Sequence, residues 1–332
     1  MTEVIVAVDG GNSKTDVAIL SHDGSLLAAS HGPTVSHQRI GLEAAGSRLR
    51  AQVDRLLERV RGDDTPSITI AVLCLAGLDL PSDERDLART HGAHGYGTLV
   101  LENDTVAGLR AGSPVDWGVG VVVGAGINAV GIAPDGRRAR FAGLGPISGD
   151  RGGGGSLGME ALGAAVRAQD RRGPRTALER LVPAYFGLRR PLDVTHALYV
   201  GRLGEGRVPE LCALVVAAAH EGDAVAVGLI DDLAGEAASF ATAAISRLRI
   251  ARLDVPVVLS GGVARGAGRL LADRVEQRVR AVAPRAAVTV LHAPPVLGSA
   301  LLALDRVAPG DHAAADRARA AITVQRMAAA AG

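Results

Sequence analysis

Apolar and polar positions along this chain follow a rhythm that repeats. Residues 5–8, Ile-Val-Ala-Val, form an apolar run that ends at Asp9 and the cluster Gly10-Gly11-Asn12-Ser13-Lys14-Thr15. A second apolar stretch at 17–20 follows and reaches Asp23-Gly24, a pair that favours tight turns. The pattern predicts strand, glycine turn, strand, so these glycines join strand to strand rather than strand to helix. The same grammar returns over 117–143: an apolar run, a glycine turn at Gly124 and Gly126, a short apolar run from Ile127, and a turn at Asp135-Gly136. Two copies of one hairpin, separated by about a domain's length of chain, predict a duplicated α/β fold.

Between the hairpins, Leu42, Leu49, Val53, Leu56, Leu57 and Val60 recur at helical spacing over 39–61. Strand patterns follow at 68–75 and 98–101, and helical ones at 85–91 and 105–111. Asp104 therefore falls at the C-terminal tip of a strand, the edge where open α/β sheets bind ligands. Residues 143–155 are dense in glycine, which predicts an irregular segment, a mobile flap or ligand loop with Asp150 as its polar handle, ahead of a helix over 157–168. Alanine-rich helices are expected at 211–220 and 224–248. Residues 254–265 read as a buried strand that breaks at Gly261-Gly262 and leads into a helix. The expected domains are 1–113 and 114–310, with a helical segment over 311–332 packing back on the first.

The first glycine turn carries the candidate chemistry. Gly10 and Gly11 can take positive φ and bring successive N–H groups up to an anion, while a glycine pair alone is also ordinary turn punctuation. Asp9 is placed to hold a hydrated Mg²⁺, and Ser13, Lys14 and Thr15 offer donors. The Walker spacing is absent, because only Asn12 and Ser13 separate Gly11 from Lys14. Gly124-Ala125-Gly126-Ile127-Asn128-Ala129 fits the dinucleotide pattern GxGxxA, but that pattern needs a helix next, and Asp135-Gly136 arrives too soon. Asp104 has two readings, an N-cap for the following helix and a general base for a substrate hydroxyl. Asp79, after Gly77, is the competing base.

Composition narrows the choice. A chain of 332 residues, 48% hydrophobic, can bury a large core and form two domains. A net charge of +1 and 2% aromatic residues give no case for nucleic acid or an anionic membrane. No apolar run approaches the roughly 20 residues of a membrane span, and the chain enters its first strand without a basic, apolar leader, so a cytoplasmic protein is expected. Cys74 and Cys212 each sit in an apolar run, as small buried hydrophobes do. The nine histidines show no metal-type spacing, and His37, in the polar segment 34–38, is the one beside candidate chemistry.

The segments DGGNSKT at 9–15, ENDTVAG at 102–108, GAGIN at 124–128, GDRG at 149–152 and LSGGVA at 259–264 occur in the order seen in the actin/hexokinase/Hsp70-like ATPase superfamily. From residue 4 to about 304 the chain resembles most the N-acetylglucosamine kinase branch of the BadF/BadG/BcrA/BcrD ATPase family. The resemblance implies two duplicated actin-like (ribonuclease H-like) domains with a central nucleotide cleft, a homodimer, and ATP-dependent phosphorylation of the sugar 6-hydroxyl. It implies ATP and Mg²⁺ as cofactors, with Asp9 on the metal through water and Gly10, Gly11, Asn12, Ser13, Lys14 and Thr15 on the outer phosphates. Gly124, Ala125 and Gly126 would grip the nucleotide, and Gly261 and Gly262 would lie along the adenosine. Asp104 matches the family's base. Ser36, His37, Gly77, Asp79, Asn128, Gly145 and Asp150 would line the sugar.

The chain departs from the family pattern at three places. Asn12 replaces a third glycine, Ser36 replaces a sugar-binding Asn, and Arg151 stands where an acidic residue is common. Ser36 leaves the sugar open among N-acetylglucosamine, glucosamine, N-acetylmannosamine and N-acetylmuramic acid. A related branch, the ATPase activators of 2-hydroxyacyl-CoA dehydratases and benzoyl-CoA reductases, holds an iron–sulfur cluster with loop cysteines, and neither cysteine here has that setting. A silent sugar-binding regulator is the third class. The presence of Asp9 and Asp104, no DNA-binding segment before Ile5 and no zinc-type Cys/His cluster all speak against it.

Overall fold

The computed structural model describes residues 3–62, 65–92 and 94–329. Strands β1 (Glu3–Gly10), β2 (Lys14–Leu20), β3 (Leu26–Pro33), β4 (Ser67–Leu75) and β5 (Thr98–Asn103) form one sheet in the order β3-β2-β1-β4-β5. The β1–β2 and β2–β3 pairs are antiparallel, and β1–β4 and β4–β5 are parallel. Strands β6 (Gly118–Val123), β7 (Ile127–Ile132), β8 (Arg138–Arg140), β9 (Pro256–Ser260) and β10 (Ala287–Val290) form a second sheet, ordered β10-β9-β6-β7-β8. Read from its other edge, that order repeats the first: three strands in sequence, then two reached through helices. The duplication expected from the two hairpins is present as strand order.

Strand alternation decides what each face of the first sheet buries. Ile5 and Ala7 of β1, Ala18 and Leu20 of β2, and Ile70, Val72 and Cys74 of β4 pack with Val296, Ala300, Leu301 and Leu304 of the helix Val296–Val307. Val4, Val6 and Val8 turn the other way and pack with Val17, Ile19, Ala71 and Leu73, and with Leu49, Val53 and Leu56 of the helix Leu42–Val60. Covered on both faces, the inner strands read as continuous apolar runs.

The chain divides into two compact units. One is Met1–Gly120 with Val130–Leu144 and Leu291–Gly332; the other is Val121–Ala129 with Gly145–Val290. Helices His312–Ala321 and Val324–Ala329 belong to the first, where Ala314, Ala318, Ile322 and Met327 share a buried cluster with Ile5 and Ala7. Residues 330–332, the end of the expected C-terminal helix, lie outside the described residues.

Three local expectations change. The helix expected over 39–61 is broken at Gly41 into His37–Ile40 and Leu42–Val60, which makes His37 the first residue of a helical turn. The glycine-dense segment is less irregular than its composition suggests: Gly145–Ser148 is a 3-10 turn, and Gly153, Gly154 and Gly155 open the helix Gly153–Gln169. Tertiary hydrogen bonds, described below, override glycine's weak helix propensity. Finally, neither Gly10 nor Gly11 takes a positive φ.

Candidate active site

Gly11, Asn12 and Ser13 connect β1 to β2, closed by a bond from Gly11 N–H to the Lys14 carbonyl (2.8 Å). Gly10 is needed for close approach: a Cβ there would lie 2.7 Å from Leu75 Cδ2 and 2.8 Å from Val35 Cγ2. From the segment after β3, the Thr34 hydroxyl donates to the Gly11 carbonyl (2.7 Å) and Val35 N–H donates to Thr15 Oγ1 (3.1 Å). Thr15 is thus buried as an internal acceptor, while Ser13 is exposed.

Strand register sets Asp9 opposite Asp16, so both buried carboxylates share a face of the β1–β2 pair. Asp16 accepts from Lys14 Nζ (2.9 Å) and is bonded to His31 Nδ1 (2.6 Å). The bond to Asp16 occupies one of the lysine's three donors. Asn12 Oδ1 is buried with no donor on it. An acceptor left open beside an acidic strand end suits a hydrated cation, whose bound waters are donors. The residues present therefore fit Mg²⁺ bound through water by Asp9.

A second cluster lies at the ends of β4 and β5. Asn103, the last residue of β5, caps the helix Asp104–Gly112: its Oδ1 accepts from Thr105 N–H (3.0 Å) and Thr105 Oγ1 (2.6 Å). Its Nδ2 donates to Asp79 Oδ1 (2.8 Å). The capping role considered for Asp104 thus belongs to Asn103, and Asp104 opens the helix with its side chain still partly exposed. Burial nonetheless raises the Asp104 pKa to about 6, opposed by backbone hydrogen bonds at Thr105 and at its own amide. Asp79 is pushed to about 7, by burial first and then by the negative charges of Asp104 and Asp83. Asp83 Oδ2 accepts from the N–H groups of Asp79 (3.1 Å) and Leu80 (2.7 Å), and its Oδ1 lies 3.6 Å from His37 Nε2. Gly77 packs on Gln38, whose Nε2 reaches Asp79 Oδ2 at 3.5 Å. Ser36 is fully buried beside them, with no partner on Oγ. Ser36, His37, Gly77, Asp79 and Asp104 are therefore gathered into one polar cluster.

Arginines of β8 reach the same region. Arg138 makes a two-pronged pair with the buried Glu102 (2.6 and 2.9 Å), and Arg140 donates to the Leu78 carbonyl (2.9 Å) and pairs with Glu84. Bidentate arginine fixes carboxylate orientation better than a point charge does.

In the second unit, Gly124, Ala125 and Gly126 connect β6 to β7. Gly261 stands at φ 101, and a Cβ on it would lie 2.4 Å from the Val123 carbonyl oxygen, so the break after β9 meets the start of this loop. Gly262 opens the short helix behind it. Gly145 and Asp150 form a closed turn, in which Asp150 Oδ2 accepts from Gly145 N–H (3.0 Å) and Ser148 Oγ (2.5 Å). Asn128 lies on β7, with Oδ1 accepting from Ala129 N–H (2.7 Å).

A family model for the BadF/BadG/BcrA/BcrD ATPases matches residues 6–303. The chain belongs to the BadF/BadG/BcrA/BcrD ATPase family. An N-acetyl-D-glucosamine kinase of Dictyostelium discoideum is 24% identical to this chain over 315 residues, covering 91% of this chain and 98% of the relative. An N-acetylmuramic acid/N-acetylglucosamine kinase of Clostridium acetobutylicum is 26% identical over 268 residues, covering 78% and 85%. Among solved structures, a protein of Chromobacterium violaceum provisionally named an N-acetylglucosamine kinase superposes with a TM-score of 0.68 at 22% identity, covering 90% of this chain and 98% of that one. A ROK family glucokinase of Streptomyces griseus, solved with glucose and AMPPNP, gives 0.56 at 18%, covering 90% and 99%. These likenesses show that the chain shares the fold of those structures, a mixed α/β fold with two five-stranded sheets.

Sequence reasoning passed over Asn103, Asp83, Gln38 and Asp16. For Asp16 a signal existed: a two-residue turn at Asn12-Ser13, closed by Gly11 and Lys14, sets it opposite Asp9. The others join the cluster only through tertiary packing.

Proposed function

We propose that this protein is an ATP-dependent sugar kinase that phosphorylates the 6-hydroxyl of N-acetylglucosamine, with Asp104 as general base. The observation that carries the reading is the Asp104 carboxylate, held at the tip of β5 by the Asn103 cap with its pKa raised by burial to about 6. A base poised just below neutral is ionised at pH 7 and still basic enough to take a hydroxyl proton in the transition state. The curated relatives, both named as kinases of N-acetylated amino sugars, support the substrate class.

Asp104 would accept the 6-hydroxyl proton as that oxygen attacks the γ-phosphorus. Asp79, Gln38, His37 and Ser36 would orient the sugar beside it, and Asp150 and Asn128 would bind further hydroxyls. Gly10–Thr15 and Gly124–Gly126 would hold phosphates, with Gly261 and Gly262 along the adenosine. Mg²⁺, carried by Asp9 through water with Asn12 as an acceptor, would supply charge neutralisation on the outer phosphates. ATP as donor argues for a cytoplasmic enzyme. Among the described residues, no single helix is long and apolar enough to cross a membrane. The family resemblance favours a homodimer, which light scattering in solution checks.

A second reading, another amino sugar such as N-acetylmuramic acid, is favoured by Ser36, whose small side chain replaces a larger amide. The activator reading is weakened by the cysteines: Cys74 is inside β4, Cys212 begins the helix Cys212–His220, and burial pushes both thiols up, away from thiolate.

The test is ADP release with N-acetylglucosamine, glucosamine, N-acetylmannosamine, N-acetylmuramic acid or glucose, and mass analysis of the product. N-acetylglucosamine is expected to stimulate most. If no sugar raises ADP release above the sugar-free rate, the kinase reading is wrong.

A further inference from the structure

The helix Gly153–Gln169 begins with glycine, and its N-cap Gly152 offers no side chain to the free N–H groups of the first turn. Two of those groups are satisfied from another part of the chain. Gly154 N–H donates to the Gly124 carbonyl (2.7 Å) and Gly155 N–H to the Ala125 carbonyl (3.2 Å), both in the loop between β6 and β7. Gly153, at φ 76, lies so close to that loop that a Cβ would stand 2.5 Å from Gly126 Cα. A helix that starts 27 residues after the loop thus serves as its floor.

Peptide planarity carries this contact to the loop's other side. In a trans peptide the C=O and the following N–H point in opposite directions. With the Gly124 and Ala125 carbonyls turned into the helix, the N–H groups of Ala125 and Gly126 turn away from it. Two successive N–H groups directed to one side make a concavity for an anion. The positive end of the helix, set against the two carbonyls, polarises both peptides in the sense that strengthens those donors.

We propose that the run Gly152–Gly155 is a positioning element that sets the second glycine loop for the nucleotide's phosphates. It touches the loop and not the reacting atoms. The proposal rests on the ATP-binding reading above and explains why glycine is concentrated where a helix begins.

The experiment combines calorimetry with AMPPNP·Mg²⁺ and amide hydrogen exchange on the full chain. In the wild type, the Gly154 and Gly155 amides are expected to be protected before ligand is added. AMPPNP should add protection at Ala125 and Gly126 and none at Gly154 or Gly155. Gly153→Ala puts a methyl group against Gly126 at a strained φ and should weaken AMPPNP about tenfold, leaving N-acetylglucosamine affinity within about twofold. Gly163→Ala, further along the same helix where a Cβ would meet nothing within 4 Å, should bind AMPPNP like the wild type. New protection at Gly154 and Gly155 on ligand binding, or a folded Gly153→Ala with unchanged AMPPNP affinity, overturns the proposal. Should Gly153→Ala fail to fold, the wild-type exchange pattern decides alone. A wild type that does not bind AMPPNP removes the nucleotide reading itself, and this proposal with it.

Discussion

The two glycine loops occupy equivalent places in sheets of the same strand order, and each spans three residues. They are held by different chemistry. The first is fixed by side chains: the Thr34 hydroxyl on the Gly11 carbonyl, and Val35 and Leu75 packed against Gly10. The second is fixed by backbone, through the N–H groups of Gly154 and Gly155. Charge also marks the first, where Asp9 and Asp16 stand opposite each other on the strands beside the loop. On the proposed function, one copy of the scaffold would carry the acid–base and cation chemistry and the other would bind anions by main chain. The two should therefore fail differently when altered.

The largest effect tests the chemical half of that contrast. Asp104→Asn should fold normally, because the cap is Asn103, yet turn over at least about 100-fold more slowly at saturating ATP and sugar. Asp150→Asn in the second unit should instead act mainly on KM for the sugar. Near-normal kcat in Asp104→Asn would transfer the base role to Asp79 or Asp150.

The pH dependence separates the two acids of the first unit. The base works ionised, so kcat/KM should fall about tenfold per pH unit below the Asp104 pKa of about 6 and level off above it. As pH falls, Asp79 takes its proton first, near 7, and is neutral when Asp104 titrates. Asp79→Asn should therefore leave the acid limb near 6. A limb near 7 that vanishes in Asp79→Asn would make Asp79 the base.

How much of this was readable in the sequence follows the range of the forces involved. The repeated strand–turn–strand pattern and the strand tip at Asp104 are local, set by alternation and by turn residues, and the structure has both. The helical start at Gly153 was not legible. Local propensity charges glycine roughly 1 kcal/mol per helical position, and the acceptors that offset this lie in a loop 30 residues away in sequence for both Gly154 and Gly155. Asn103 was hidden for a similar reason. Beside an Asp, it looks like a neighbour of the functional residue, and only the contact with Asp79 reveals it as the link between two strand ends.

On stability the loops can be compared by adding one methyl group to the first. Gly10→Ala drives a Cβ against Leu75 Cδ2 and Val35 Cγ2, both ends of side chains that can shift. Overpacking of this kind costs about 1–3 kcal/mol. Thermal unfolding should show a drop of several degrees, with nucleotide affinity changed less than in Gly153→Ala, where the obstacle is backbone.

The smallest effect is expected at Thr34, and it bears most directly on the contrast. Thr34→Val keeps the shape of the side chain and removes the hydroxyl that donates to the Gly11 carbonyl and accepts from Ser36 N–H (3.0 Å). A neutral hydrogen bond of this kind contributes about 1 kcal/mol, so AMPPNP·Mg²⁺ affinity should fall about fivefold in calorimetry. Gly11 N–H still closes the turn on Lys14, which keeps the loop near its place when the hydroxyl is gone. The second loop is closed in the same way, by Gly124 N–H on the Gly126 carbonyl (2.9 Å), but both backbone bonds that tie it to a helix come from one glycine run. If Thr34→Val weakens the nucleotide as much as Gly153→Ala does, the two loops are equally dependent on a single support, and the division between side-chain and backbone anchoring fails.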